Sequence, residues 1–226
     1  MLKQKKLSIF SLKASILIIL TFFLIILYFY FSSSFQINNA SKAYITNQGD
    51  NTVSIIDLET LKTLKTLKVG VAPLGITILQ KKKLVFVGNV GTDDISVIDA
   101  VNDRLIKTIK LGTAPLSLAS NEEETEVYVT DWFQNNVLTI SADEMKVTGK
   151  LKVGVTPSGI AYNKKYKYQV ITNRDANTLE IYNEDDDLVK KIETGNHPFG
   201  VYSEGDFAYV ANVYDDSVSI INLVDW

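Results

Sequence analysis

The 226-residue chain has no cysteine and a single histidine, His197. The missing cysteine excludes disulfides, thiolate nucleophiles, thiolate metal sites and attachment of a lipid through a thioether. One histidine is too few for the imidazole sets on which zinc, copper and haem sites draw, so no metal and no cofactor is expected. A lone histidine beside a proline in a turn reads as structural or solvated. Ser-His-Asp spacing, a phosphate loop and zinc signatures are also missing, so no catalytic residue is assigned. Charge is missing locally too. No charged residue lies between Lys13 and Lys42, and no acid precedes Asp50.

That uncharged stretch begins with an apolar run from Ala14 to Phe31. Eighteen residues rising ~1.5 Å each span roughly 27 Å as a helix, close to the thickness of a bilayer core. Lys3, Lys5, Lys6 and Lys13 precede the run, an arrangement that keeps the N-terminus in the cytoplasm and sends the remainder of the chain outside. The reading is a basic cytoplasmic segment (1–13), a transmembrane signal anchor (14–31) and a small polar tether (32–41). The small residues Ser32 and Ser34 leave a cleaved signal peptide and a secreted product as the alternative. With its 4 lysines set aside, the exported part carries 19 of the 23 basic residues and all 26 acidic ones, a net of −7. Nucleic-acid phosphates want a basic surface, so no nucleic-acid partner is expected.

From Lys42 onward the chain repeats. Tyr44-Ile45-Thr46-Asn47 returns as Phe86-Val87-Gly88-Asn89, Tyr128-Val129-Thr130-Asp131, Val170-Ile171-Thr172-Asn173 and Tyr209-Val210-Ala211-Asn212. A polar turn and a second alternating run such as Val53-Ser54-Ile55-Ile56-Asp57 come after each copy. A third run, in which lysine alternates with apolar residues, leads to Gly70, Gly112, Gly154 or Gly195. Each of these glycines is followed three residues on by Pro73, Pro115, Pro157 or Pro198, which are all the prolines of the protein. A fourth short run begins at each proline. Short β-branched runs between Asn, Asp and Gly are strands. Proline is tolerated at a strand's first residue, and lysines mark an outer edge strand. Four strands per forty-odd residues make one blade of a β-propeller.

This order of strands, with its Gly-x-x-Pro-x-Gly element, resembles the YVTN β-propeller repeat family, which includes surface-layer and secreted propellers. The resemblance covers Lys42 to Asn222. It implies an all-β propeller of four-stranded antiparallel blades over 42–226, facing outside the cytoplasm. Five first-type strands stand against four proline elements. The expectation is therefore about five blades with incomplete terminal ones meeting imperfectly, and self-association should the ring stay open. Phe35-Gln36-Ile37 reads as a further first strand or as part of the tether.

The column Asn47, Asn89, Asp131, Asn173 and Asn212 reads as structural, each side chain bonding the backbone after it and fixing the turn. Departures from the repeat are more informative. Trp132, Phe133, Arg174 and Tyr214 stand where other copies carry small or polar residues, and His197 falls on the same rim. Exposed aromatics and arginine are typical of binding hot spots. They suggest a rim that binds a protein or small ligand, on a non-catalytic scaffold at the cell surface. The alternative is a lactonase- or lyase-like enzyme working at the central channel. It is weakened by Leu74, Leu116, Ser158 and Phe199 at the starts of the innermost strands. A fragment of a longer propeller is a third reading. Glu122–Glu124, Asp185–Asp187, Lys81–Lys83 and Lys164–Lys165 read as a solvated opposite rim.

Overall fold

The computed structural model describes residues 41–226. The expected basic segment, membrane span and Phe35–Ile37 strand lie outside the described residues, as does all of the tether except Ser41. Among the described residues every regular element is a strand, and no helix is long and apolar enough to cross a membrane.

Five antiparallel sheets succeed one another along the chain. Sheet 1 holds β1 (Lys42–Asn47), β2 (Thr52–Asp57) and β3 (Thr63–Lys68). Sheet 2 holds β4 (Pro73–Leu79), β5 (Leu84–Asn89), β6 (Asp94–Asp99) and β7 (Arg104–Lys110). Sheet 3 holds β8 (Pro115–Ser120), β9 (Glu126–Asp131), β10 (Asn136–Ser141) and β11 (Lys146–Lys152). Sheet 4 holds β12 (Pro157–Asn163), β13 (Tyr168–Asn173), β14 (Thr178–Tyr182) and β15 (Leu188–Glu193). Sheet 5 holds β16 (Pro198–Glu204), β17 (Phe207–Asn212) and β18 (Ser217–Asn222).

Strand order within each sheet is the order of the chain, as expected of hairpin-linked blades. The proline-opened strands β4, β8, β12 and β16 are successive neighbours, so they form the hub from which the sheets radiate. The lysine-bearing β3, β7, β11 and β15 lie outermost and are largely exposed. A register shift recurs between the second and third strands of sheets 1 to 4, at Ile55, Val97, Thr139 and Ile181, a bulge repeated in one column.

Each sheet has a back face towards the preceding sheet and a front face towards the next, except that among the described residues sheet 1 meets a neighbour only through its front face and sheet 5 only through its back face. The period-two alternation of the strands supplies both. Four hydrophobic clusters fill the four junctions. Tyr44, Val53 and Ile55 of sheet 1 meet Val85 and Val87 of sheet 2. Phe86, Ile95 and Val97 of sheet 2 meet Val127, Val129 and Ile140 of sheet 3. Tyr128 and Val137 of sheet 3 meet Ile160, Ile171 and Tyr182 of sheet 4. Val170, Leu179 and Ile181 of sheet 4 meet Ala208, Val210 and Ile221 of sheet 5. None of these clusters joins sheet 5 to sheet 1, so among the described residues the terminal blades, expected to meet imperfectly, leave that junction open.

The opposite rim is not simply a solvated face. The buried Glu124 carboxylate accepts the backbone N–H groups of Lys81 (2.7 Å) and Lys82 (3.2 Å), clasping a turn of sheet 3 to one of sheet 2. Within the triplet Glu122–Glu124, only the third residue points inward.

Candidate functional site

The Asn column holds its turns differently from the sequence expectation. Asn47 Nδ2 donates to the hydroxyls of Thr52 (3.0 Å) and Ser54 (2.8 Å). Asn89 Nδ2 reaches Asp94 and Ser96, and Asn212 Nδ2 reaches Ser217 and Ser219. These asparagines tie first strand to second through side chains five and seven residues ahead. Only Asp131 caps the backbone after it, accepting the N–H groups of Phe133 and Gln134, each at 3.2 Å. The role is structural in both forms. Among the described residues no group of three or more histidine, aspartate and glutamate side chains could hold a metal ion.

A second column, which the sequence reading missed, builds the rim. Asn51, Asn135 and Asn177 sit in the turns between first and second strands with φ of 57°, 56° and 54°. Asparagine tolerates this left-handed region because its short polar side chain bonds locally. Each Oδ1 accepts, at 2.9 Å, the N–H of the residue preceding the next sheet's proline: Ala72, Thr156 and His197 respectively. The link to His197 holds that residue at φ 53°, and its carbonyl accepts the N–H of Val213 at 3.1 Å. The single histidine is thereby fixed between sheets 4 and 5.

Around it, four of the five rim residues singled out by sequence come together from three sheets. The Arg174 guanidinium of sheet 4 lies 5.5 Å from the Trp132 ring of sheet 3 and 5.9 Å from the Tyr214 ring of sheet 5. A cation over an aromatic face is attracted by the ring quadrupole. Arg174 Nη2 also donates to the Tyr214 hydroxyl at 3.4 Å, and the His197 ring rests 4.1 Å from the Tyr214 ring. Phe133 stands apart from the cluster, 74% exposed beside Trp132.

Two members were not anticipated. Asp175 receives Arg174 Nη1 at 2.9 Å and the Thr156 hydroxyl at 2.7 Å, and lies 3.9 Å from His197 Nε2. Phe199 packs against Trp132 with ring centres 6.1 Å apart, reaching across sheet 4. The column holding Phe199 carries Ser158 in that intervening sheet, a small residue whose hydroxyl donates to the Pro198 carbonyl at 2.8 Å. The column holding Phe133 and Tyr214 carries Asp175, so the acid was legible as a further departure from small residues. Just below, the Asn196 backbone N–H, joined by its side-chain amide, holds the exposed Asp215 carboxyl below its ordinary range.

The cluster therefore presents aromatic faces and one guanidinium already paired to a carboxylate.

Blade order, hub and rim can now be set beside known proteins. A model of the YNCE-like beta-propeller matches residues 32–208. The chain belongs to the YNCE-like beta-propeller family. No curated protein matches the sequence. Among solved structures, a functionally unknown protein from Desulfotomaculum acetoxidans DSM 771 superposes with a TM-score of 0.73 at 16% identity, over 82% of this chain and 63% of that one. The dihydro-heme d1 dehydrogenase NirN gives 0.66 at 13% identity, over 80% of this chain and 41% of that one. A catalytically inactive virginiamycin B lyase from Staphylococcus aureus, in complex with Quinupristin, gives 0.65 at 13% identity, over 83% and 68%. At these identities the likeness is one of fold. The YNCE-like chain spans less than two thirds of the first two of these structures.

Proposed function

We propose that this YNCE-like propeller is a non-catalytic binding or scaffold module that works outside the cytoplasm. The membrane would hold it through the apolar segment 14–31, unless cleavage releases it as a secreted protein. The partner, a protein or small ligand, docks on the rim bearing Trp132, Phe133, Arg174, His197 and Tyr214. One observation carries this reading: Trp132, Arg174, His197 and Tyr214 break the repeat at separate points of the chain, yet meet on one ledge built by three sheets. The starts of the innermost strands support it, since Leu74, Leu116 and Phe199 are apolar and the Ser158 hydroxyl is spent on a backbone carbonyl.

The test replaces Trp132, Phe133 and Tyr214 with alanine together. Partners retained by the parent protein from envelope extracts should be lost from this variant while its melting temperature holds. Equal recovery on a folded variant would overturn the proposal.

A further inference from the structure

Among the described residues the two terminal sheets each leave one face uncovered, and the two faces are not alike. On sheet 5 it is the front face, with Tyr202, Phe207, Tyr209, Val218 and Ile220 all exposed. On sheet 1 it is the back face, centred on Ile45. Position by position these are the two halves of the junction that the molecule builds four times internally. Ile220 occupies the column of Ile55, Val97 and Ile181, and is 65% exposed where those three are fully buried. Ile45 occupies the column of Val87, Ile171 and Val210, and is 47% exposed where those three are fully buried.

Glycine spacing adds an independent sign. A side chain at Gly75 would lie 2.4 Å from the Leu116 carbonyl oxygen, and one at Gly159 would lie 2.3 Å from that of Phe199. In both places glycine lets the next sheet approach closely. Gly200 keeps the same residue in sheet 5, with nothing within 4 Å. Sheet 5 thus retains the apolar column and the clearance of a covered face.

We infer that a second copy of this chain covers it, the front face of sheet 5 in one copy docking on the back face of sheet 1 in the next. A back face made by this repeat matches a front face made by the same repeat, and sheet 1 is where an uncovered back face is on offer. The contact is heterologous, so it propagates head to tail unless the rotation closes. An apolar outer face on a terminal repeat costs solubility unless something covers it. The rim cluster plays no part in it, so this inference and the binding proposal stand or fall separately.

The absence of cysteine makes a clean test possible. Full-length protein in detergent, carrying Ile45→Cys and Ile220→Cys together, is treated with a short bis-maleimide across a dilution series. The expected result is a ladder of dimers, trimers and longer species that fades on dilution, with each single variant staying monomeric. Dimers from Ile220→Cys alone, with nothing larger, would mean that sheet 5 faces pair with each other. A cross-link confined to single copies would mean that the ring closes on itself. Monomer in every lane would mean that another part of the chain, or nothing, covers the face. Any of these three overturns the inference. As a control free of engineered thiols, sedimentation of the parent should show mass rising with concentration. Tyr209→Lys should abolish that rise, and the Trp132, Phe133 and Tyr214 triple variant should leave it intact.

Discussion

Sheets 4 and 5 carry nearly the same columns and meet different fates. Leu179 and Ile181 in β14 are sealed beneath sheet 5, whereas their counterparts Val218 and Ile220 in β18 face outward. Tyr209 lies open where Val170 is fully buried. The repeat therefore specifies what kind of face each sheet presents, and the neighbour alone decides whether the face leaves water. Hydrophobic stabilisation scales with area removed from water, so equal side chains contribute unequally in the two sheets.

The sharpest way to break this comparison is to make one substitution twice. Ile181→Ala should cost about 2–5 kcal/mol, because it empties a packed junction. Ile220→Ala in dilute protein should stay within about 0.5 kcal/mol of the parent, as surface changes do. Chemical denaturation of both variants measures the gap, and equal losses would mean that the two columns are buried alike.

A second contrast concerns the column of Ser54, Ser96 and Ser219, which in sheet 4 carries Glu180. Burial opposes ionisation of this carboxylate. The Tyr182 hydroxyl (2.9 Å), Lys191 (3.1 Å) and the Gly154 N–H (2.9 Å) outweigh that and hold its pKa below the ordinary 4.5. A depressed folded-state pKa stabilises above the unfolded value, and the contribution is lost as pH falls through the folded one. Glu180→Gln should therefore lower stability by about 1–3 kcal/mol at neutral pH. The difference from the parent should shrink below pH 4.5, towards the depressed value. Melting curves at a series of pH values check this, and a difference that grows on acidification would reverse the assignment.

These contrasts also mark what the sequence could disclose. Strand order, the hub prolines and the wet outer strands were legible because a fixed spacing repeats them. Trp132, Arg174, His197 and Tyr214 were legible because they depart from it. The partners Asp175 and Phe199 were harder, since their contacts cross from sheet to sheet and depend on the small Ser158 between them. The asparagine bonds were misassigned because a side chain at a strand end has two sets of partners within reach. Bonding to the hydroxyls ahead of it, as Asn47 does with Thr52 and Ser54, wins over capping in the copies that carry asparagine. The open junction was legible only as a condition, self-association should the ring stay open, since Val218 and Ile220 look like any buried pair.

The smallest expected effect compares the rim with the core. Arg174→Ala should cost no more than about 1 kcal/mol, since its stacking stays partly exposed. In a Trp226→Phe background, where Trp132 is the remaining tryptophan, it should still alter indole emission by removing the cation above that ring. Unchanged emission would show that the guanidinium does not rest there in solution.

The ledge is assembled from turns of three sheets, and Asn177 hands the backbone of His197 from one sheet to the next. A partner gripping Trp132, Arg174 and Tyr214 at once would act as a clamp across two junctions. Occupancy and resistance to unfolding would then be thermodynamically linked, with a ligand at one hundred times its Kd contributing about 2.7 kcal/mol. Protection from proteolysis would accordingly spread well past the footprint, along the strands that the clamp keeps in register.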